Sequence, residues 1–180
     1  LTLNSGANRT VNGLFSMANS GSLNVSMAAG TTLILNGTCR IDAGGAFGSS
    51  PIFGASSTLV YNKGSIYGRG LEWIRNGAGT IGTDSGYPNN VQISNNTTLN
   101  YRNGGAATKA TEGNLTIDAG SALYMNFGGT PTGGPLVVKG NVVNNGIFGL
   151  GDSAGDDLKV GGNFTNTGTF DGKQRAIFFT

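Results

Sequence analysis

The residues able to do chemistry are few and scattered. The chain holds nine acids, Asp42, Glu72, Asp84, Glu112, Asp118, Asp152, Asp156, Asp157 and Asp171, and no histidine. Ser-His-Asp triads, Cys-His dyads and histidine-rich metal centres are therefore excluded. Paired carboxylates remain open, since glycoside cleavage needs two of them about 5–10 Å apart. Glu112, Asp152, Asp156 and Asp171 stand beside glycine, as corner residues do, and Asp42 and Asp118 share the phrase "IDAG", which reads as a turn. No catalytic pair is assigned, and no enzyme activity, cofactor or metal is expected.

Three other patterns invite a chemical reading. Residues 151–157, "GDSAGDD", bring three Asp together. Clustered oxygens suit calcium, but the segment matches neither an EF-hand loop nor the calcium-binding β-roll nonapeptide, so a solvated corner is expected. Thr165, Thr167 and Thr169 alternate as in ice-binding arrays, yet the equivalent earlier positions are Val143, Asn145 and Ile147, so the array does not repeat. Residues 61–90, "YNKGSIYGRGLEWIRNGAGTIGTDSGYPNN", hold the single Trp among tyrosines and charges. Tyr67, Arg69, Glu72 and Trp73 are the candidate glycan contact, because rings stack on sugars and charged groups bond to hydroxyls. The competing reading is that Trp73, Ile74 and Tyr67 pack this segment onto the body.

Composition limits the elements that could position such residues. Glycine is 33 of 180 residues and charged residues are only 11%. A helical bundle is excluded, because interior glycine costs about 1 kcal/mol. Four prolines and no three-residue period exclude collagen. The net charge of +2 is spread singly, with no basic stripe for nucleic acid. No run approaches the roughly 20 apolar residues of a membrane span. Cys39 has no internal partner and reads as a buried free thiol. Seven Asn-x-Ser/Thr matches, at Asn8, Asn24, Asn36, Asn95, Asn96, Asn114 and Asn163, are ordinary in so Asn-rich a chain. "LTLNSGANRT" lacks the features of a signal peptide, so the chain reads as an internal fragment.

Short alternating bursts such as Leu23-x-Val25-x-Met27, Leu33-x-Leu35, Val91-x-Ile93 and Leu115-x-Ile117 are half-buried strands. Glycine and Asn-Gly corners separate them, at Asn36-Gly37, Asn103-Gly104 and Asn145-Gly146. "PLVVKGNVVNNGIFG" and "DLKVGGNFTNTGTFDG" repeat each other, Leu136 on Leu158, Val142 on Phe164, Asn144 on Asn166 and Phe148 on Phe170. A fixed long interval marks a solenoid in which each strand pairs in parallel with its copy one coil on, about 4.8 Å away. The expectation is an all-β, single-stranded parallel β-helix over residues 1–180, right-handed by analogy with known β-helices. Its coils should hold about 20–24 residues, with one insertion within 61–90 and a corner loop at 126–135. Bursts beginning at Leu115, Leu136 and Leu158 are read as successive coils. "LTLNSG" and "RAIFFT" read as strands awaiting neighbours.

"GNFTNTGTF", "GNLTIDAGSALYMN", "LTLNSGANRTVNG" and "GYPNNVQISNNTTLNY" resemble repeats in very large adhesin-like surface proteins of Bacteroidetes. The resemblance covers nearly the whole chain. It implies an extracellular stalk or adhesive surface, exported by type IX secretion. It also implies O-glycosylation at Ser153, within Asp152-Ser153-Ala154. The implied partners are a surface polysaccharide or other cell-surface component and the chain's own continuation at both ends, with no nucleic acid and no direct membrane insertion. A carbohydrate-binding β-helix with its site on residues 61–90 is the alternative function. A polysaccharide-cleaving or ice-binding solenoid ranks below both.

Overall fold

The structure is a computed structural model describing residues 1–180 apart from 5, 7, 19–23, 103–106 and 130–131; of Asn24 only the backbone is described. The Leu23 start of one burst, the Asn103-Gly104 corner and part of the 126–135 loop lie outside the described residues.

Every paired strand runs parallel, and the chain winds round three faces as an all-β solenoid. One face is a continuous seven-stranded sheet of Leu14–Met17, Thr38–Ile41, Thr58–Tyr61, Asn90–Ile93, Leu115–Ile117, Val142–Asn144 and Phe164–Asn166. At the usual strand spacing it spans about 30 Å. The other two faces are each divided. One has Arg9–Val11, Leu33–Leu35 and Ile52–Phe53, then Lys109–Thr111, Leu136–Val138, Leu158–Val160 and Ile177–Phe179. The other has Thr2–Leu3, Asn24–Met27 and Ala46–Phe47, then Ile66–Gly68, Thr98–Asn100, Ala122–Tyr124, Ile147–Gly149 and Thr169–Asp171.

Alternation builds the core. Along the continuous face Phe15, Cys39, Leu59, Val91, Leu115, Val142 and Phe164 form one inward column. Cys39, Leu59, Leu115 and Val142 are fully buried, and burying each of the leucine and valine side chains stabilises by about 1.5–3 kcal/mol. Cys39 is a buried free thiol, as its setting in "GTCRID" indicates. The two matched phrases stack as aligned: Leu136 on Leu158, Val142 on Phe164, Phe148 on Phe170. Asn144 Nδ2 donates to Asn166 Oδ1 at 2.6 Å, so the expected axial asparagine pair is present.

The regular coil length needs correction. Leu115 pairs with Val142, not Leu136, which belongs to a different face. The interval from Leu115 to Leu136 therefore runs between two faces of one coil rather than between coils. True steps range from 18 residues, Ile34 to Ile52, to 32, Leu59 to Val91. Corners absorb the difference, because only the strands must superpose.

The long step contains the insertion. Between Ile66–Gly68 and Asn90–Ile93 the divided face lacks a strand. A single 3-10 turn, Leu71–Trp73, and irregular chain take its place. Ser85 forms an isolated bridge to Ile52 on one side, and Asn76 and Gly77 bridge to Lys109 on the other. The insertion plugs the break in the sheet.

Candidate functional site

Nearly all the unusual side chains converge beneath this plug. Arg69, Glu72, Trp73 and Tyr101 are fully buried, and Tyr67 and Lys109 almost so. Trp73 donates Nε1–H to the Ala110 carbonyl at 2.8 Å and meets the Tyr101 ring edge-on, 5.5 Å between centroids. Arg69 donates Nε–H to the Tyr101 carbonyl at 2.7 Å and Nη1–H to the Trp73 carbonyl, with its guanidinium 5.3 Å from the Tyr101 ring centroid. Glu72 Oε1 accepts from Tyr61 Oη at 3.0 Å and from the Gly70 N–H at 2.7 Å. Its second oxygen, Oε2, is buried without a hydrogen-bond partner. Tyr67 donates its hydroxyl to the Gly45 carbonyl at 2.9 Å.

Burial governs the electrostatics here. It pushes the Glu72 carboxyl above its ordinary range, against the opposing Gly70 and Tyr61 hydrogen bonds and the Arg69 charge. Burial and the Glu72 charge push the Tyr61 and Tyr67 hydroxyls and the Cys39 thiol up. Burial lowers Arg69, and with the Arg69 charge it lowers Lys109 to about 8.

The glycan platform expected from Tyr67, Arg69, Glu72 and Trp73 is thus corrected. The structure does bring the four together, but inside the solenoid, where no sugar ring can stack on them. The rings face inward because the missing strand leaves a space that the insertion must fill with apolar surface. The packing reading holds for Trp73 and Tyr67; Ile74 is only partly buried.

On the solenoid surface the insertion is clamped a second time. Tyr87 Oη and Lys139 Nζ both donate to Glu112 Oε2, at 2.6 and 2.7 Å. Six of the other seven acids are occupied by hydrogen bonds or ion pairs, Asp157 by the Ala176 N–H among them. Asp42 accepts from Ser16, Arg40 and Asn62. Asp118 accepts from Gln92, Asp84 pairs with Arg75, and Asp171 pairs with Lys173. In "GDSAGDD" the buried Asp156 accepts backbone N–H from Thr132, Gly133, Gly134 and Ser153. It staples two loops together. Ser153 is partly exposed beside it. Among the described residues no group of three or more His, Cys, Asp or Glu could hold a metal ion.

Lys109, Tyr101 and Asp156 were missed as members of buried clusters. A signal for Lys109 existed: "KATEGN" aligns with "LVVKGN" and "LKVGGN", which puts Lys109 in the column of Leu136 and Leu158. A lysine in an apolar column demands a partner. Compared with known proteins, the chain matches no family model, no curated protein and no solved structure.

Proposed function

We propose that this chain is a non-enzymatic structural or adhesive segment of an extracellular repeat protein, acting as a rod that carries or displays a surface. The carrying observation is the uninterrupted seven-stranded face with hydrogen bonds running along its axis. On its edge Asn90, Asn114 and Asn141 each offer Oδ1 to the backbone N–H of the next asparagine in the series, ending at Asn163, at 2.8–2.9 Å. Such ladders resist extension along the stack. The buried Arg69, Glu72 and Asp156 hold loops to the body rather than lining an open cleft, which favours a mechanical role. The sequence resemblance supplies the surface location and export route.

Two measurements test this reading. Antibody raised against the chain should label intact, unpermeabilised cells of the producing bacterium, and the label should vanish when type IX secretion is disabled. Single-molecule pulling should give unfolding in coil-sized steps. Labelling that requires permeabilisation overturns the surface assignment. Release of new reducing ends from polysaccharide would establish the enzyme instead, and a glycan-array signal would favour the carbohydrate-binding alternative.

A further inference from the structure

Lys109 is the one described residue at which an amine enters the apolar inward column. Its paired successors there are Leu136, Leu158 and Ile177. The residue is 2% exposed. No carboxylate among the described residues forms an ion pair with it. Its Nζ instead meets the Ile74 carbonyl at 2.9 Å and the Asn76 side-chain oxygen Oδ1 at 2.5 Å. The backbones are locked too: Asn76 and Gly77 bridge to Lys109, and Gly77 N–H donates to the Thr108 carbonyl at 2.9 Å. A buried amine is thereby held against a carboxamide.

We propose that Lys109 and Asn76 form an intramolecular amide, a covalent strap tying the insertion to the divided face of the solenoid. The neutral amine attacks Asn76 Cγ, which is one bond beyond the oxygen it already contacts. The Nζ–Cγ bond forms, the Cγ–Nδ2 bond breaks, and a proton from Nζ leaves with Nδ2 as ammonia. No oxidant, reductant or second substrate is consumed. Three features favour the step. Burial, with the Arg69 charge, lowers the lysine to about 8, so more of the amine is neutral near pH 7 than in an ordinary lysine. Fixed proximity replaces a bimolecular encounter with a unimolecular one, worth effective molarities of about 10⁵ M or more when the geometry is right. Asn76 itself is exposed, so ammonia can escape. The product also replaces a charge-bearing amine in the apolar column with a neutral amide, which relieves its desolvation cost.

The test is intact-mass measurement of the purified full chain, followed by peptide mapping. The expected result is a mass short by one ammonia and a branched peptide joining the Asn76 and Lys109 segments. Both should be lost completely in Asn76→Ala and in Lys109→Met. Asn76→Ala changes an exposed side chain, so it keeps the test decisive even if Lys109→Met fails to fold. A full-length mass with two linear peptides overturns the proposal. So does an ammonia loss that survives in Lys109→Met on a linear peptide, because Asn76-Gly77 would then have cyclised on its own backbone.

Discussion

Val142 and Phe164 occupy one column a coil apart, but at different depths: Val142 is fully buried and Phe164 only half-buried. Val142→Asp should destabilise by about 4 kcal/mol or more, through an unpaired buried charge. Phe164→Asp should cost clearly less. Urea unfolding of both variants checks the order, and equal effects would contradict the depth assignment. Glu72 sets a pH dependence. Its carboxyl is raised by burial, so its contribution is fully present below the ordinary glutamate value of about 4.3. That contribution is lost as pH rises through the raised value. Asp42 and Glu112 act oppositely. Burial pushes each up, but hydrogen bonds, from Ser16, Arg40 and Asn62 for Asp42 and from Lys139 and Tyr87 for Glu112, hold both below their ordinary range. Their stabilisation is lost as pH falls. Thermal melts from about pH 3 to about pH 8 should therefore show a dome, and Glu72→Gln should flatten its alkaline limb alone.

At the scale of elements, corners decide how closely coils approach. The Asn145-Gly146 corner does not use a positive φ at Gly146. That residue is glycine because a Cβ there would lie 2.2 Å from the Ser121 carbonyl oxygen and 2.5 Å from that of Asp118. Gly146→Ala should cost about 3 kcal/mol by forcing the two coils apart, measurable as a lower urea midpoint. The asparagine edge contributes in smaller units. Asn114→Ala removes the acceptor for the Asn141 N–H and should cost about 1 kcal/mol. Asn163→Ala serves as its control, because among the described residues the Asn163 side chain accepts no N–H of the series, and should change stability less.

Across the whole molecule each coil touches mainly its neighbours, so stability is close to a sum of coil and interface terms. Strands with partners on both sides should open last. Hydrogen exchange should be slowest in Thr58–Tyr61, Asn90–Ile93 and Leu115–Ile117, and faster toward Leu14–Met17 and Phe164–Asn166. Uniform protection along the seven-stranded face would mean one cooperative block instead.

The sequence by itself determined the solenoid, its inward columns and the asparagine corners of the last coils. These follow from alternation of period two repeated at long intervals, and the alternation can be read within a few residues. Coil length was less readable, because corners tolerate insertions and leave no periodic trace. Only the tertiary structure decided the fate of the insertion. The insertion around Tyr67, Arg69, Glu72 and Trp73 reads as a surface platform or, more readily, as packing. The choice depends on partners far along the chain: Tyr101 for Arg69, Ala110 for Trp73, and Ile74 for Lys109, 32 to 37 residues apart. A missing strand made the space, and buried carbonyls supplied the hydrogen bonds that let charged side chains enter it.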